Sequence, residues 1–250
     1  MELHTGIGTA SVDKITFYGL DLCADVIGKL DLGSFTYLCA TGRPANRDES
    51  DLLTAVMLAS ADHGLTPSSI ATRLTYVGAP ESPQAAIAAG LLGGGSVYLG
   101  ASEMAGQMLA RLRAYLPDSD VETVAATEVA RARAASERLP GFGHPIHRLV
   151  DPRTTVLFQL ARERGYFRTN CELIDAVHRQ LSLAVGRPVT LNAAGSSAAI
   201  LMDLGLEPTV LRLIALAARS IGLISHIREE ASNPIADGIW HLVLQNTTYI

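Results

Sequence analysis

The densest chemistry in the chain lies in the segment Pro140-Gly-Phe-Gly-His-Pro-Ile-His-Arg-Leu-Val-Asp-Pro-Arg153. Two histidines and two arginines fall there within ten residues, His144, His147, Arg148 and Arg153. Gly141 and Gly143 allow backbone to approach a ligand closely, and Pro145 stiffens the chain after His144. Such a loop can hold an anion. A metal site would take His144 and His147 with Asp151, but no second histidine pair or cysteine pair supports it, so no metal is expected. A proline-rich loop with solvated basic residues is the plain structural alternative.

Four other features carry chemistry less directly. Gly93-Gly-Gly-Ser96 resembles a phosphate cradle but lacks the Gly-Lys-Ser/Thr ending and a preceding strand, so a flexible turn or close helix packing is expected instead. No Gly-x-Ser-x-Gly nucleophile elbow is present. His63, in Ala61-Asp62-His63-Gly64, sits at a helix end, where a lone histidine can serve as a cap. Arg219 lies inside an apolar stretch, where a guanidinium needs a carboxylate or an anionic ligand to offset burial.

The elements that must position these residues are helical. Asp48 to Ala61 places Leu52, Leu53, Val56 and Met57 on one face and stops before Gly64. Thr154 to Arg164, Asp175 to Val185 and Ser196 to Leu204 read the same way, stopping at Gly165, Gly186 and Gly205, each able to adopt a left-handed cap. Thr209 to Glu230 is apolar around much of its circumference, with Leu213, Ile214, Leu216, Ala217, Ile221 and Ile224, and is expected to be a buried central helix. Asp118 or Ser119 is expected to cap a further helix running to Leu139. Candidate strands are few, Ile15 to Tyr18 and Val189 to Leu191, and the fold class is all-α.

Composition narrows the partners. The 250 residues are 48% hydrophobic and 18% charged, ample for a buried core. Twenty Lys and Arg against 25 Asp and Glu give a formal charge of −5 with no basic block, which argues against nucleic acid and anionic membrane surfaces and for small molecules or proteins. Ser82 to Ser102 carries no Asp, Glu, Lys or Arg, but its glycines make it a poor membrane span. Cys23, Cys39 and Cys171 are odd in number and widely spaced, as in reduced cytosolic proteins. Without the pattern of a signal peptide at Met1-Glu2-Leu3-His4, a cytoplasmic protein is expected.

Taken together, Gly19-Leu-Asp-Leu22, Leu38-Cys-Ala-Thr-Gly-Arg-Pro44, Ala61-Asp-His-Gly64, Gly95-Ser-Val-Tyr-Leu-Gly-Ala-Ser-Glu103, Gly141-Phe-Gly-His144, Asp151-Pro-Arg153, Leu191-Asn192 and Ala218-Arg-Ser-Ile-Gly-Leu-Ile-Ser-His226 span nearly the whole chain. In order and spacing this set resembles the citrate synthase superfamily, and most closely its citryl-CoA lyase branch, which includes the C-terminal module of ATP-citrate lyase. The resemblance implies a citrate-synthase-like, two-lobed helical homodimer with a shortened large lobe. Residues 1–98 plus 213–250 would form the large lobe and dimer contact, and 99–212 the small lobe on the coenzyme A side.

It also implies that His63, His144, Arg153 and Arg219 bind the oxaloacetate or citryl part, and that Arg148, His147, Gly141 and Gly143 face coenzyme A. Coenzyme A would enter as part of the substrate, with no tightly bound cofactor. Two departures stand out. Tyr98 occupies the place of the histidine that polarises the thioester carbonyl, and Ala194 that of the usual aspartate. Synthesis of citrate needs that carboxylate to deprotonate acetyl-CoA, and a methyl group cannot do so. Cleavage of citryl-CoA or a similar 3-carboxy-3-hydroxyacyl-CoA makes different demands, met by His144 at the hydroxyl and Tyr98 at the thioester oxygen. Decarboxylation of a carboxyacyl-CoA, or ligand binding without catalysis, are the alternatives.

Overall fold

The computed structural model describes residues 2–249. A small antiparallel sheet comes first, β1 (Gly8–Ala10), β2 (Ile15–Phe17) and β3 (Leu20–Asp21), in register Thr9 to Thr16 and Phe17 to Leu20. Most of the rest of the described chain is helical. In order these are α1 (Leu32–Thr41), α2 (Arg47–Ala61), α3 (Pro67–Gly78), α4 (Pro83–Leu99), α5 (Ala101–Arg113), α6 (Val121–Ala134), α7 (Pro152–Glu163), α8 (Thr169–Val185), α9 (Ala193–Asp203), α10 (Pro208–Ser232) and α11 (Ala236–Gln245). The all-α expectation therefore holds apart from the short N-terminal sheet.

Side-chain caps set most of the helix starts. Asn46 and Glu49 form a reciprocal capping box at α2, and Thr66 with Ser69 forms another at α3, where Pro67 supplies a preset φ at the first position. Asp151 caps α7 and Asn192 caps α9. The glycine stops behave as expected at Gly165, Gly186 and Gly205, all with positive φ.

Four expectations need correction. The helix expected from Asp118 or Ser119 to Leu139 starts at Val121, because Asp120 makes the cap to the Thr123 amide, and it ends at Ala134. The helix expected from Asp175 starts at Thr169, six residues earlier. Its first amides are satisfied from a distance, by the Asp203 carboxylate accepting from the Arg168, Asn170 and Cys171 N–H groups at 2.9, 2.9 and 3.0 Å. Val189 to Leu191 forms no strand, only a single antiparallel bridge between Leu191 and Phe142. Finally, α10 buries one face only: Leu211, Ile214, Ala218 and Leu223 are inside, while Leu213, Ile221 and Ile224 remain exposed.

One contiguous core joins α2, α5, α8 and α9 through residues such as Leu53, Met108, Leu109, Ile174 and Ile200. Small residues allow the closest helix approaches. Gly222 of α10 lies against the carbonyl of Ala61 at the end of α2, where an added Cβ would stand 1.9 Å from the Ala61 oxygen. The Gly93–Ser96 stretch lies within α4 and packs on α3, with Gly95 (φ 49°, ψ −153°) breaking the helix. By length and composition the stretch Pro83–Asp118 and α10 could each cross a bilayer. However, the first is interrupted at Gly95 and the second buries Arg219, His226 and Glu230 inside the protein.

The Gly222 contact is backbone against backbone, so no rotamer change relieves it. Gly222→Ala is expected to destabilise the fold by about 1 to 3 kcal/mol. By contrast, Gly238→Ala on α11, where nothing stands within 4 Å, is expected to be neutral or to stabilise by about 0.5 kcal/mol. Chemical denaturation midpoints of the two variants check this.

Candidate active site

Seven helices and one loop meet around a cavity of about 540 Å³. The end of α2 and the turn after it bring Ala59 and His63, and α3 begins at its wall with Ser68. The end of α4 and the start of α5 supply Tyr98 and Ser102, and the loop after α6 supplies Gly143 and His144. Arg153 comes from α7, Ala194 and Ser197 from α9, and Arg219 from α10. The four residues assigned to the carboxylate-bearing ligand, distant in sequence, thus line one cavity.

Each cation has its own carboxylate behind it. Asp151 is fully buried and grips Arg153 twice, accepting from Nε at 3.0 Å and Nη2 at 2.8 Å, while also accepting from the Ala193 amide at 2.9 Å. Burial pushes the Asp151 carboxyl up, but the Arg153 bonds and the Ala193 N–H outweigh it and hold the group below the usual carboxylate range. Asp151 is consequently engaged at both oxygens in holding Arg153 and the start of α9. Arg153 places Nη1 on the Ala59 carbonyl at 3.2 Å.

Arg219 is only 6% exposed, and its nearest carboxylate contact is Asp62 Oδ1 at 3.6 Å. Its Nε and Nη1 have no hydrogen-bond partner. Burial pulls its pKa down and Asp62 opposes this. His63 Nε2 and the hydroxyls of Ser68, Ser102 and Ser197 are likewise buried without partners. Leaving a buried polar atom unmet costs about 1 to 3 kcal/mol, so unpartnered atoms on these five residues around one cavity make it the candidate site for a polar ligand.

The loop carrying His144 is clamped to Asn192. The Asn192 amide donates to the Gly141 carbonyl at 3.0 Å, and its side chain Nδ2 donates to the Gly143 carbonyl at 2.9 Å. Gly143 (φ 81°) donates to the Thr190 carbonyl at 2.7 Å. Within the loop His144 Nδ1 accepts from the Ile146 and His147 amides at 3.1 and 3.0 Å. A neutral imidazole whose Nδ1 accepts must carry its proton on Nε2. His144 therefore presents an N–H donor.

The imidazole nitrogens of His63, His144 and His147 lie within 4.8 Å of one another. They could be read as a metal trio, but His144 Nε2 has no lone pair to offer while its Nδ1 holds two backbone amides. Burial lowers the pKa of His63, with Arg153 and His147 adding to the effect. Burial likewise lowers that of His144, with His147 and His63 adding.

Of the other residues assigned from sequence, Tyr98 stands on the cavity rim and is exposed, and Gly143 faces the cavity. His147 packs on His144 with ring centroids 4.4 Å apart, and Arg148 is exposed beyond it. Gly141 (φ 87°) is buried against α9, where an added Cβ would stand 2.8 Å from the Gly195 Cα, so its small size serves helix packing. Sequence reasoning gave no role to Asp62 or to the three serines. Asp62 was visible only as the neighbour of His63, and nothing in sequence marks those serines.

The family model described as citrate synthase, C-terminal domain, matches residues 24–239, and the chain belongs to that family. It is 26% identical over 201 residues to the citrate synthase-like protein oryE of Aspergillus oryzae, covering 78% of this chain and 43% of that protein. To citrate synthase of Acidithiobacillus ferridurans it is 24% identical over 208 residues, covering 80% and 51%. The chain thus spans about half the length of these relatives. Citryl-CoA lyase from Hydrogenobacter thermophilus superposes with a TM-score of 0.88 at 26% identity, covering 99% of this chain and 94% of that one. ATP citrate lyase from Methanosaeta concilii, solved in complex with (3S)-citryl-CoA, shares the fold at a TM-score of 0.77 and 21% identity, covering 100% and 42%. The fold is accordingly citrate-synthase-like, in a form shorter than full-length citrate synthase.

The lowered histidine pKa values have a definite sign. Below about pH 6.5 an unfolded histidine binds a proton that folded His63 and His144 resist. The unfolded chain then holds more protons, so stability falls as pH drops through that value, until the folded pKa values are passed as well. Urea midpoints between pH 8 and 5 are expected to show this decline, flattened in His63→Gln and in His144→Gln.

Proposed function

We propose that the chain cleaves citryl-CoA, or a closely similar 3-carboxy-3-hydroxyacyl-CoA, to acetyl-CoA and oxaloacetate by retro-Claisen chemistry. The observation that carries this reading is the cavity itself. Arg153, Arg219, His63 and a proton-donating His144 face it, and among the described residues no acidic side chain lines it. Planar guanidinium forks suit carboxylates, and a multiply carboxylated ligand would meet the unpartnered Arg219 Nε and Nη1. The named similarity to a citryl-CoA lyase supports the same choice.

In this reading His144 Nε2–H donates to the carbinol oxygen as it becomes the ketone of oxaloacetate. Neutral His63, with its Nε2 unpartnered, accepts the hydroxyl proton. The electrons of the broken carbon–carbon bond pass to the thioester, whose oxygen receives a hydrogen bond from the Tyr98 hydroxyl. Transfer of the proton held by His63 to the enolate carbon, directly or through a water, completes acetyl-CoA and returns His63 to its neutral form. The lobe division and coenzyme A contacts implied by the resemblance, with Arg148 toward the phosphates, belong to this proposal, as does a cytoplasmic homodimer covering exposed Leu213 and Ile224.

Decarboxylation of a carboxyacyl-CoA is the second reading. The absence of a lining carboxylate favours it, because loss of carbon dioxide yields an enolate with no prior removal of a carbon-bound proton.

Mixed with citryl-CoA and coupled to malate dehydrogenase, the protein is expected to consume NADH. A rate no higher than the uncatalysed one removes the lyase reading, and carbon dioxide release from malonyl-type thioesters supports the second. Arg219→Ala is expected to weaken carboxylate binding. Tyr98→Phe should lower kcat by about 100-fold with little change in KM.

A further inference from the structure

Behind the cationic wall lies a second row of side chains that does not line the cavity. Arg73 of α3 is 1% exposed. Its Nη1 donates to buried Glu230 Oε2 at 2.9 Å, its Nη2 pairs with Glu229, and its Nε donates to His226 Nδ1 at 3.1 Å. An arginine Nε always carries hydrogen, so His226 Nδ1 must be the bare nitrogen and Nε2 the protonated one. Nε2–H then donates to Asp62 Oδ1 at 2.8 Å. The other oxygen, Asp62 Oδ2, accepts from the Gly64 amide at 2.9 Å and closes the turn that carries His63.

Asp62 is therefore engaged at both oxygens while Arg219, 3.6 Å away, is left with two unpartnered nitrogens. The Asp62 side chain is 48% exposed, so packing alone does not fix its orientation. A free aspartate beside a buried guanidinium turns to make the short two-point pair that both charges favour. That pair would occupy the very N–H groups an incoming carboxylate needs. The two glutamates already balance the charge of Arg73, so the bond from its Nε to His226 is not needed for neutrality.

We propose that Arg73 and His226 are positioning residues that hold Asp62 off Arg219, keeping the Arg219 fork open for a substrate carboxylate. His226 competes with Arg219 for the Asp62 carboxylate, and the tautomer imposed by Arg73 lets it win. This inference rests on the reading of the cavity as a carboxylate site.

The test is calorimetric titration of the 250-residue chain with citrate, with coenzyme A titrated in parallel. His226→Leu is expected to weaken citrate binding by about tenfold or more and to leave coenzyme A affinity unchanged. His226→Gln, which keeps one acceptor and one donor, is expected to stay within about twofold of the parent. Adding Asp62→Asn to His226→Leu is expected to restore most of the affinity, since a neutral amide cannot quench Arg219 yet can still accept from Gly64. Undiminished citrate binding in His226→Leu, equal loss of citrate and coenzyme A, or no restoration by Asp62→Asn would each overturn the proposal.

If His226→Leu does not fold, Arg73→Lys serves instead. It retains a cation against Glu230 but lacks the Nε donor, and undiminished citrate affinity in it overturns the proposal equally. One readout needs no ligand. Imidazole nitrogen NMR of the parent protein is expected to show His226 protonated at Nε2 alone, and any other protonation state overturns this inference whatever the cavity binds. Failure of the parent protein to bind citrate with that tautomer intact instead counts against the carboxylate reading.

Discussion

Two guanidinium groups share one partly buried cavity with neighbouring imidazoles, and the repulsion between the two guanidinium charges is the constraint from which the rest of the site follows. Burying such charges side by side costs several kcal/mol unless each is compensated. The chain meets this by placing one carboxylate behind each arginine, Asp151 behind Arg153 and Asp62 near Arg219. The two pairs are unequal. Asp151 holds Arg153 in a two-point grip, whereas Asp62 stands off and leaves Arg219 electrostatically balanced but unbonded. Compensation without saturation lets the wall fold without a ligand and still attract one.

Those carboxylates can do this only if distant elements arrive within hydrogen-bond reach, and that depends on residues with no side chain to spare. Gly222 lets the end of α2 close on α10, which brings Asp62 and His63 to Arg219. Gly141 and Gly195 let the loop bearing His144 lie on the start of α9, where Asn192 clamps it from both sides. The same short approach puts the Ala193 amide on Asp151. Packing and electrostatics are thus coupled here: a methyl group at any of these glycines would move a charge as well as a helix.

Much of this was legible in sequence, for a physical reason. Helix stops at Gly165, Gly186 and Gly205 are local events, set by the left-handed backbone that glycine adopts cheaply, and they fell where expected. Arg219 was visible as a guanidinium inside an apolar stretch, and His144 and Arg153 from the glycine- and proline-flanked basic loop, whereas a ligand role for His63 came from the family resemblance alone. What escaped depended on partners far along the chain. The start of α8 is capped by Asp203 some thirty residues later, the exposed face of α10 reflects which neighbours pack on it, and Asp62 looks ordinary until His226 is brought beside it. The Arg43 of the Leu38–Pro44 motif is a similar case. It forms a two-point pair with Glu49 at 3.0 and 2.6 Å, tying the end of α1 to the capping box of α2, away from the cavity.

The alanine at 194 fits this electrostatic design. A carboxylate there would stand at the first turn of α9, facing the same cavity as Arg153, Arg219 and His63. It would compete with the ligand for those cations, and a chemistry that needs a strong base at carbon would repay that competition. A chemistry that only has to grip a polyanion and move a hydroxyl proton gains nothing from it. With alanine in place, the first turn of α9 keeps its favourable field for negative charge, and among the described residues the charged side chains lining the cavity are the cationic Arg153 and Arg219. In the proposed reading, alanine at 194 supplies no base for synthesis and adds no charge that competes for Arg153 and Arg219, and both properties suit cleavage of a carboxylated substrate.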